Sequence, residues 1–305
     1  MPPPRVEVEI EGRRLSLSNL EKVLYPEAGF TKGQVIEYYT RIAPVLLPHL
    51  HGRPLTLKRY PNGVQAKYFY EKQCPSHRPE WVRTAAVFSR SNNRMIDFCL
   101  AEDVATLVWL ANLADLELHT SLARADDVTA PDLLAFDLDP GSPATIVECA
   151  DVALDLRAAL DHLGLKAFPK TSGSKGMQVY VPLHPPTDYE RTSAFALALA
   201  QVLERRAPEQ VVSAMSREKR TGRVFVDWSQ NSRHKTTICV YSLRARAHPT
   251  VSTPLRWEEV EAVAASRDPD ELVFDSAAVL ARVEAHGDLF APVLELRQEL
   301  PAAAA

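Results

Sequence analysis

The spacing of apolar residues changes period several times along the chain, and each change marks an element. From Thr31 to about Leu50 they recur every three or four positions, with the threonine as cap, which predicts a helix. The same spacing predicts helices over 102–113, 146–163 (stopped by Gly164), 189–206 and 257–266. Between them, RPLTLKRY, LLAFDLDP, KAFPKT, MQVYVPL, GRVFVDW and TTICVYSL are short, β-rich and bounded by Gly, Pro, Asn or Ser, so they read as strands. These strands gather from residue 133 onward and do not alternate regularly with helices. That order favours an α+β core with mixed or antiparallel β-sheets flanked by helices over a doubly wound sheet. No internal repeat is visible, and the only low-complexity piece is PAAAA at 301–305.

A chain of 305 residues, 46% of them hydrophobic, can bury a substantial core. We expect one domain over 1–300, with parts of about 1–130, 131–250 and 251–300, followed by a tail at 301–305. The start MPPPRVEVEIEGRR lacks the apolar core of a signal peptide, and no run approaches a membrane span, so a cytoplasmic protein with no membrane partner is expected. Cys74, Cys99, Cys149 and Cys239 are far apart, which suits a reducing compartment better than a disulfide framework. Cys74 and His77 in CPSH have C-x-x-H spacing, the start of a zinc site. Structural zinc usually takes four ligands, and only Cys99 and scattered histidines remain to complete the set.

The net charge of −4 argues against nucleic acid as a partner until its distribution is considered. Between 51 and 100 nine cations face three acids, and between 211 and 250 eight face two; the acidic excess sits mostly between. Both basic belts contain aromatic residues and glycine turns, a mixture suited to nucleic acid as well as to solvated loops.

Three stretches carry candidate chemistry. In LLAFDLDPG, strand alternation points Asp137 and Asp139 to one face, and Pro-Gly ends the strand beside them. Paired carboxylates either raise a pKa or recruit a hard cation such as Mg²⁺ or Mn²⁺. In KTSGSKGMQVYVPL, the small polar turn around Ser172 and Lys175 has the composition of a phosphate cradle or of a plain hairpin; its spacing is not that of a Walker A loop. In GRVFVDWSQN, Asp227 ends a third run and completes a triad of carboxylates suited to two divalent ions. His119 in LELHTSL reads either as a core histidine or as a phosphate donor.

FDLDPG, TSGSKG and VFVDWSQN, in order and preceded by LEKVLYP, KRYPNGV and FYEKQ, resemble the polymerase domain of bacterial ATP-dependent DNA ligase D, a member of the archaeo-eukaryotic primase superfamily. The resemblance runs from about residue 15 to about 290. It implies a primase-type catalytic core, stand-alone or excised, with DNA binding in the first part, the metal and nucleotide site in the second and helices in the third. At matching positions it implies that Asp137, Asp139 and Asp227 ligate metal, with Asp227 on the catalytic metal alone. Ser172, Lys175, Arg244, Lys58 and His119 would hold the nucleotide triphosphate. Phe69, beside Tyr70, would stack on a base. Lys22 and Lys32 would grip the 5′-phosphate across a gap. Arg59 joins the DNA-binding set, as does Arg220 in the loop SREKRTGR; that loop and VFSRSNNR match loops that position metals and join ends.

The expected function is therefore templated addition of nucleotides to a primer 3′-OH at DNA breaks and gaps. The resemblance implies two divalent ions, Mn²⁺ before Mg²⁺, a preference for ribonucleotides, nucleoside triphosphates and gapped DNA as substrates, and a Ku-like end-binding protein and a separate DNA ligase as partners. Three alternatives stand beside it: a primase-like polymerase without break specificity, a D-x-D glycosyltransferase, which leaves the basic belts unused, and a non-catalytic DNA-end-bridging module.

Overall fold

The alternation in LLAFDLDP does form a strand, Leu133–Pro140, in the computed structural model, which describes residues 5–89 and 92–301. The chain divides into two units, each assembled from three separate stretches. The first takes residues 1–121, 238–251 and 274–287; the second takes 122–237, 252–273 and 288–305.

The first unit opens with an antiparallel hairpin, β1 (Arg5–Ile10) and β2 (Arg13–Ser18), and a smaller pair, β3 (Val23–Tyr25) and β4 (Phe30–Thr31). Helix α1 (Lys32–Leu50) follows, started by a capping box in which Thr31 and Gln34 satisfy each other's backbone N–H groups. Its sheet contains β5 (Leu55–Arg59), β6 (Phe69–Glu71), β7 (Thr84–Ser89), β8 (Arg94–Cys99) and β9 (Asp115–Thr120), with α2 (Val104–Asn112) before β9. β5 is central, antiparallel to β9, β6 and β8, and β7 lies outside β8. Val35, Tyr39, Ile42 and Leu46 of α1 are buried, and α1 packs with α2. The Tyr39 hydroxyl donates to the carbonyl of Leu116 at 2.7 Å.

In the second unit, β10 (Leu133–Pro140) is central to an antiparallel sheet with β11 (Phe168–Thr171), β12 (Met177–Pro182) and β14 (Val224–Asp227). β13 (Val211–Val212) pairs parallel to β14, giving the order β11-β12-β10-β14-β13. Phe136 and Leu138 are fully buried, with α3 (Ile146–His162) and α4 (Tyr189–Arg206) packed on β10. Alternation therefore leaves Asp137 and Asp139 on the opposite face. α5 (Trp257–Ser266) packs on α3. α6 (Ser276–His286) belongs to the first unit, and α7 (Pro292–Glu295) to the second.

The fold is α+β with antiparallel sheets, as expected, but strands do not gather after residue 133: nine of those described precede it. RVEVEI carries charged, exposed alternate positions and RRLSLS buries only its two leucines, so neither has the apolar content of a core strand. TTICVYSL yields only β15 (Thr237–Ile238), where the chain re-enters the first unit. Tyr241 has φ +64°, which breaks the extended run, and Tyr38 fixes the turn by donating to the Tyr241 carbonyl at 2.8 Å.

Cysteine use also differs from expectation. Cys74 and Cys99 form a disulfide, their Cα atoms 5.1 Å apart, while Cys149 and Cys239 are buried thiols. The N–H of Cys74 donates to the carbonyl of Asp97 at 2.6 Å, which lays the loop alongside β8. Spacing could not show this, because the loop meets β8 only after folding. The zinc reading falls with it: the Cys74 sulfur is bonded, and His77 faces the Trp109 ring.

Candidate functional site

Each unit carries a polar row across its sheet. In the second, Asp137 on β10 stands directly opposite Asp227 on β14 and opposite Gln178 on β12, which in turn faces Lys170 on β11. Directly opposed residues share a face, so two carboxylates, an amide and an ammonium line up across four strands, with Asp139 two residues along. Burial, followed by the charges of Asp139 and Asp227, pushes the Asp137 carboxyl up to about 7.

The residues after Asp227 hold this row in place. Asp227 accepts from the N–H of Ser229 at 3.0 Å and from its hydroxyl, capping a single 3₁₀ turn. Gln230 donates from Nε2 to Asp227 Oδ2 at 3.0 Å and reaches Asp137 Oδ2 at 3.5 Å. Asn231 clamps Ala135 on β10, accepting from its N–H at 2.9 Å and donating to its carbonyl at 2.7 Å. Among the described residues, no group of three or more His, Cys, Asp and Glu closes into a ready metal cage. The donor set nevertheless fits a hard divalent cation: all-oxygen carboxylates share one sheet face, close enough that two of them raise the pKa of the third.

The TSGSKG segment is the hairpin turn between β11 and β12, so it has the plain geometry as well as the polar composition. Ser172 is buried, and its hydroxyl accepts from the N–H groups of Ser174 and Gly176, both at 3.3 Å; Lys175 is exposed at the tip. A Cβ on Gly176 would lie 2.1 Å from the carbonyl oxygen of Leu138. Only glycine lets the turn rest on the strand between Asp137 and Asp139. The loop with Arg220 closes similarly: its carbonyl oxygen would lie 1.9 Å from a Cβ on Gly141, and its guanidinium covers the Phe225 ring, 3.7 Å from the centroid. Phe225 is the register partner of Asp139.

In the first unit the row is Tyr70, Lys58 and Glu117, on β6, β5 and β9. Glu117 is buried and gathers three of the side chains expected on phosphate, two of them cationic. Lys58 Nζ donates to it at 3.1 Å, His119 Nε2 at 3.0 Å, and Arg244 Nε lies 3.4 Å away. Desolvation opposes the charge of Glu117, but these partners prevail and hold its carboxyl well below the usual range. Burial lowers the pKa of His119 despite Glu117, so at neutral pH it is an uncharged ring whose Nε2–H donates to the carboxylate. Lys58 Nζ also lies 4.6 Å from the Tyr68 ring centroid, with Tyr60 and Tyr70 close by.

Phe69 is 41% exposed, so it is not a core residue, and the Arg59 guanidinium lies 5.2 Å from its ring centroid. Arg59 is fixed from behind by Glu71 at 2.7 Å. Lys22 and Lys32 are brought together by the β3–β4 turn, and the buried Lys32 is lowered to about 8 by desolvation and by the charge of Lys22. In VFSRSNNR, Arg90 and Ser91 lie outside the described residues.

Residues 31–290 match the family described as LigD, primase-polymerase domain. The chain belongs to the LigD primase-polymerase domain family. It is 41% identical over 284 residues to the multifunctional non-homologous end joining protein LigD of Mycolicibacterium smegmatis, covering 92% of this chain and 36% of that protein. It is 30% identical over 292 residues to the bifunctional non-homologous end joining protein LigD of Bacillus subtilis, covering 95% of this chain and 46% of that one. The chain thus spans less than half the length of these relatives. Among solved structures, the polymerase domain from Mycobacterium tuberculosis ligase D, in complex with DNA, superposes with a TM-score of 0.86 at 39% identity, covering 92% of this chain and 98% of that one. Membership in a primase-polymerase family makes this chain a DNA-directed nucleotidyltransferase and overturns the glycosyltransferase reading.

Several residues of these two rows and their supports were not read from the sequence: Lys170, Gln178, Gln230, Asn231 and Glu117. Two left a signal. Gln178 is the one polar residue within MQVYV, and Glu117 precedes His119 by two, the strand period that puts both on one face.

Proposed function

We propose that this chain extends a primer 3′-OH on templated DNA at breaks and gaps, using nucleoside triphosphates. The observation that carries this reading is the direct opposition of Asp137 and Asp227, with Asp139 on the same face, in a chain of the LigD primase-polymerase family. The primer oxygen attacks the α-phosphorus, the bond from that phosphorus to the bridging oxygen of the β-phosphate breaks, and pyrophosphate leaves. Asp137, Asp139 and Asp227 would hold two divalent cations, Mn²⁺ in preference to Mg²⁺. Bound there, the cations supply acidity to the primer hydroxyl and charge balance to the phosphates.

The other side chains have separable tasks. Gln230 and Ser229 orient Asp227, and Asn231 fixes β10 under Asp137. In the second unit Ser172 and Lys175 offer donors to phosphate at the β11–β12 turn; in the first, Lys58, His119 and Arg244, gathered by Glu117, offer donors of the same kind. Phe69 and Tyr70 offer aromatic surface to bases, Arg59 and Arg220 offer charge to the DNA backbone, and Lys22 with Lys32 take the 5′-phosphate of the gap.

Ribonucleotides are the preferred substrates in this reading. The relatives' names place them in non-homologous end joining, which supports a role in end repair; in this reading the chain works in the cytoplasm beside a Ku-like end-binding protein and a separate DNA ligase. Among the described residues no helix is long and apolar enough to cross a membrane. The test is primer extension on gapped DNA with ribo- and deoxyribonucleotides, each with Mn²⁺ and Mg²⁺. Asp137→Ala, Asp139→Ala and Asp227→Ala should each abolish extension while DNA binding persists. Extension by any of them near the unsubstituted rate would remove the carboxylates from the mechanism.

A further inference from the structure

Lys170 is a charged side chain left 1% exposed in the second unit, and the reaction described above gives it no task. Its Nζ donates to Gln178 Oε1 at 2.6 Å and to Ser252 Oγ at 2.7 Å, and lies 5.4 Å from the Tyr180 ring centroid. Gln178, 3% exposed, donates from Nε2 to Asp137 Oδ1 at 3.1 Å. The three residues occupy directly opposed positions on β11, β12 and β10, so strand register as well as side-chain geometry aligns them.

The direction of this chain is fixed by chemistry. An ammonium only donates, so the end of the Gln178 amide that faces Lys170 must be its oxygen. The Tyr180 hydroxyl, 3.5 Å from the same oxygen, adds to that end. The amide nitrogen is then compelled to face Asp137, where a carboxylate accepts it. The flipped form would set oxygen against oxygen at Asp137 and nitrogen against the ammonium at Lys170, so the two ends of the row enforce the same sense, and Lys170 also anchors the amide oxygen in place.

We infer that Lys170 is a positioning residue of the metal site, acting through Gln178 to hold the Asp137 carboxylate in the orientation that receives a divalent cation. This rests on the metal-ligand reading of Asp137. Outer partners of ligating side chains typically change metal affinity by about 10- to 100-fold when removed, and that is the effect expected here. Ser252, 0% exposed, accepts from Lys170 and donates to the Thr171 carbonyl, so it acts on the ammonium one step further from Asp137 and its loss should matter less.

The test is titration of the full chain with Mn²⁺ alone, followed by electron paramagnetic resonance of the free ion, beside thermal melting of each variant. Lys170→Met and Gln178→Leu should each weaken the tightest Mn²⁺ site by about tenfold or more. The double variant should be no weaker than the worse single one, because both act through one contact. Saturating Mn²⁺ should restore extension by both single variants, as a purely structural lesion would not allow. If Lys170→Met fails to fold, Gln178→Leu, which leaves Lys170 its serine, decides the matter. Unchanged Mn²⁺ affinity in the folded variants, with Asp137→Ala losing the ion, overturns the role of Lys170 and leaves the metal site standing. Unchanged affinity in Asp137→Ala overturns both.

Discussion

The backbone N–H of Lys32 donates to the carbonyl of Lys22 at 2.8 Å. The turn between them thus brings two lysines ten residues apart in sequence onto one short antiparallel pair. Lys32 is buried, yet it sits close enough to Lys22 for their charges to interact, an arrangement that an anion would relieve. Gapped DNA carrying a 5′-phosphate should therefore bind about tenfold more tightly than the 5′-hydroxyl form, the worth of one hydrogen bond to a charged group. Lys22→Ala and Lys32→Ala should each erase that difference and spare extension of a plain primer-template. Because the pKa of Lys32 is lowered to about 8, its charge is present below that pH and lost above it. The preference should shrink as the pH rises past 8, and a preference constant into alkaline solution would count against Lys32.

Asp137 gives a pH dependence of opposite sense. Its carboxyl is raised to about 7, so below that pH a proton must leave before a cation is bound. Mn²⁺ affinity should fall by up to about tenfold per pH unit below neutrality and level off above it. Direct Mn²⁺ titration across that range checks this without reference to turnover; a flat profile would mean that Asp137 is ionised throughout.

Glu117 should matter to both stability and substrate. Glu117→Gln leaves Lys58 and Arg244 without a buried counter-charge, a change of the kind that costs about 3–5 kcal/mol. The variant should melt lower and show a raised KM for nucleoside triphosphates with a smaller change in kcat. The carboxyl is depressed in the folded chain, so its contribution is present above the unfolded value of about 4.3 and lost as pH falls through its folded value. The stability gap between the parent and the variant should narrow in acid, as denaturant titrations at several pH values would show.

Phe69→Ala should weaken binding to primer-template by roughly 1–3 kcal/mol, the worth of a base stacked on an aromatic ring. At 41% exposure, little of its ring supports the core, so the melting temperature should barely move. A large drop in melting temperature with DNA affinity intact would reassign Phe69 to structure.

The carboxylate row was legible because a strand at full burial announces its odd residues: Asp137 and Asp139 interrupt an apolar run at the strand period. Helices with clear end signals were legible for the same local reason, as at the Thr31 cap and the Gly164 stop. What escaped was set by partners far along the chain. The Cys74–Cys99 bond depends on how a loop lies against β8, and the Lys170–Gln178 contact depends on the register between two separate strands. The role of Glu117 depends on β5 and the Arg244 segment, which bring Lys58 and Arg244 to it from far along the chain.

The path of the chain through the two units has a consequence for inheritance. The backbone changes unit at 121/122, 237/238, 251/252, 273/274 and 287/288, so no single cut frees either unit whole. Expression of residues 1–121 alone would omit α6 and the segment that carries Arg244; expression of 122–237 would omit Ser252 and α5. Recombination that shuffles proteins by contiguous blocks must therefore carry both units together, as an indivisible cassette, or deliver neither.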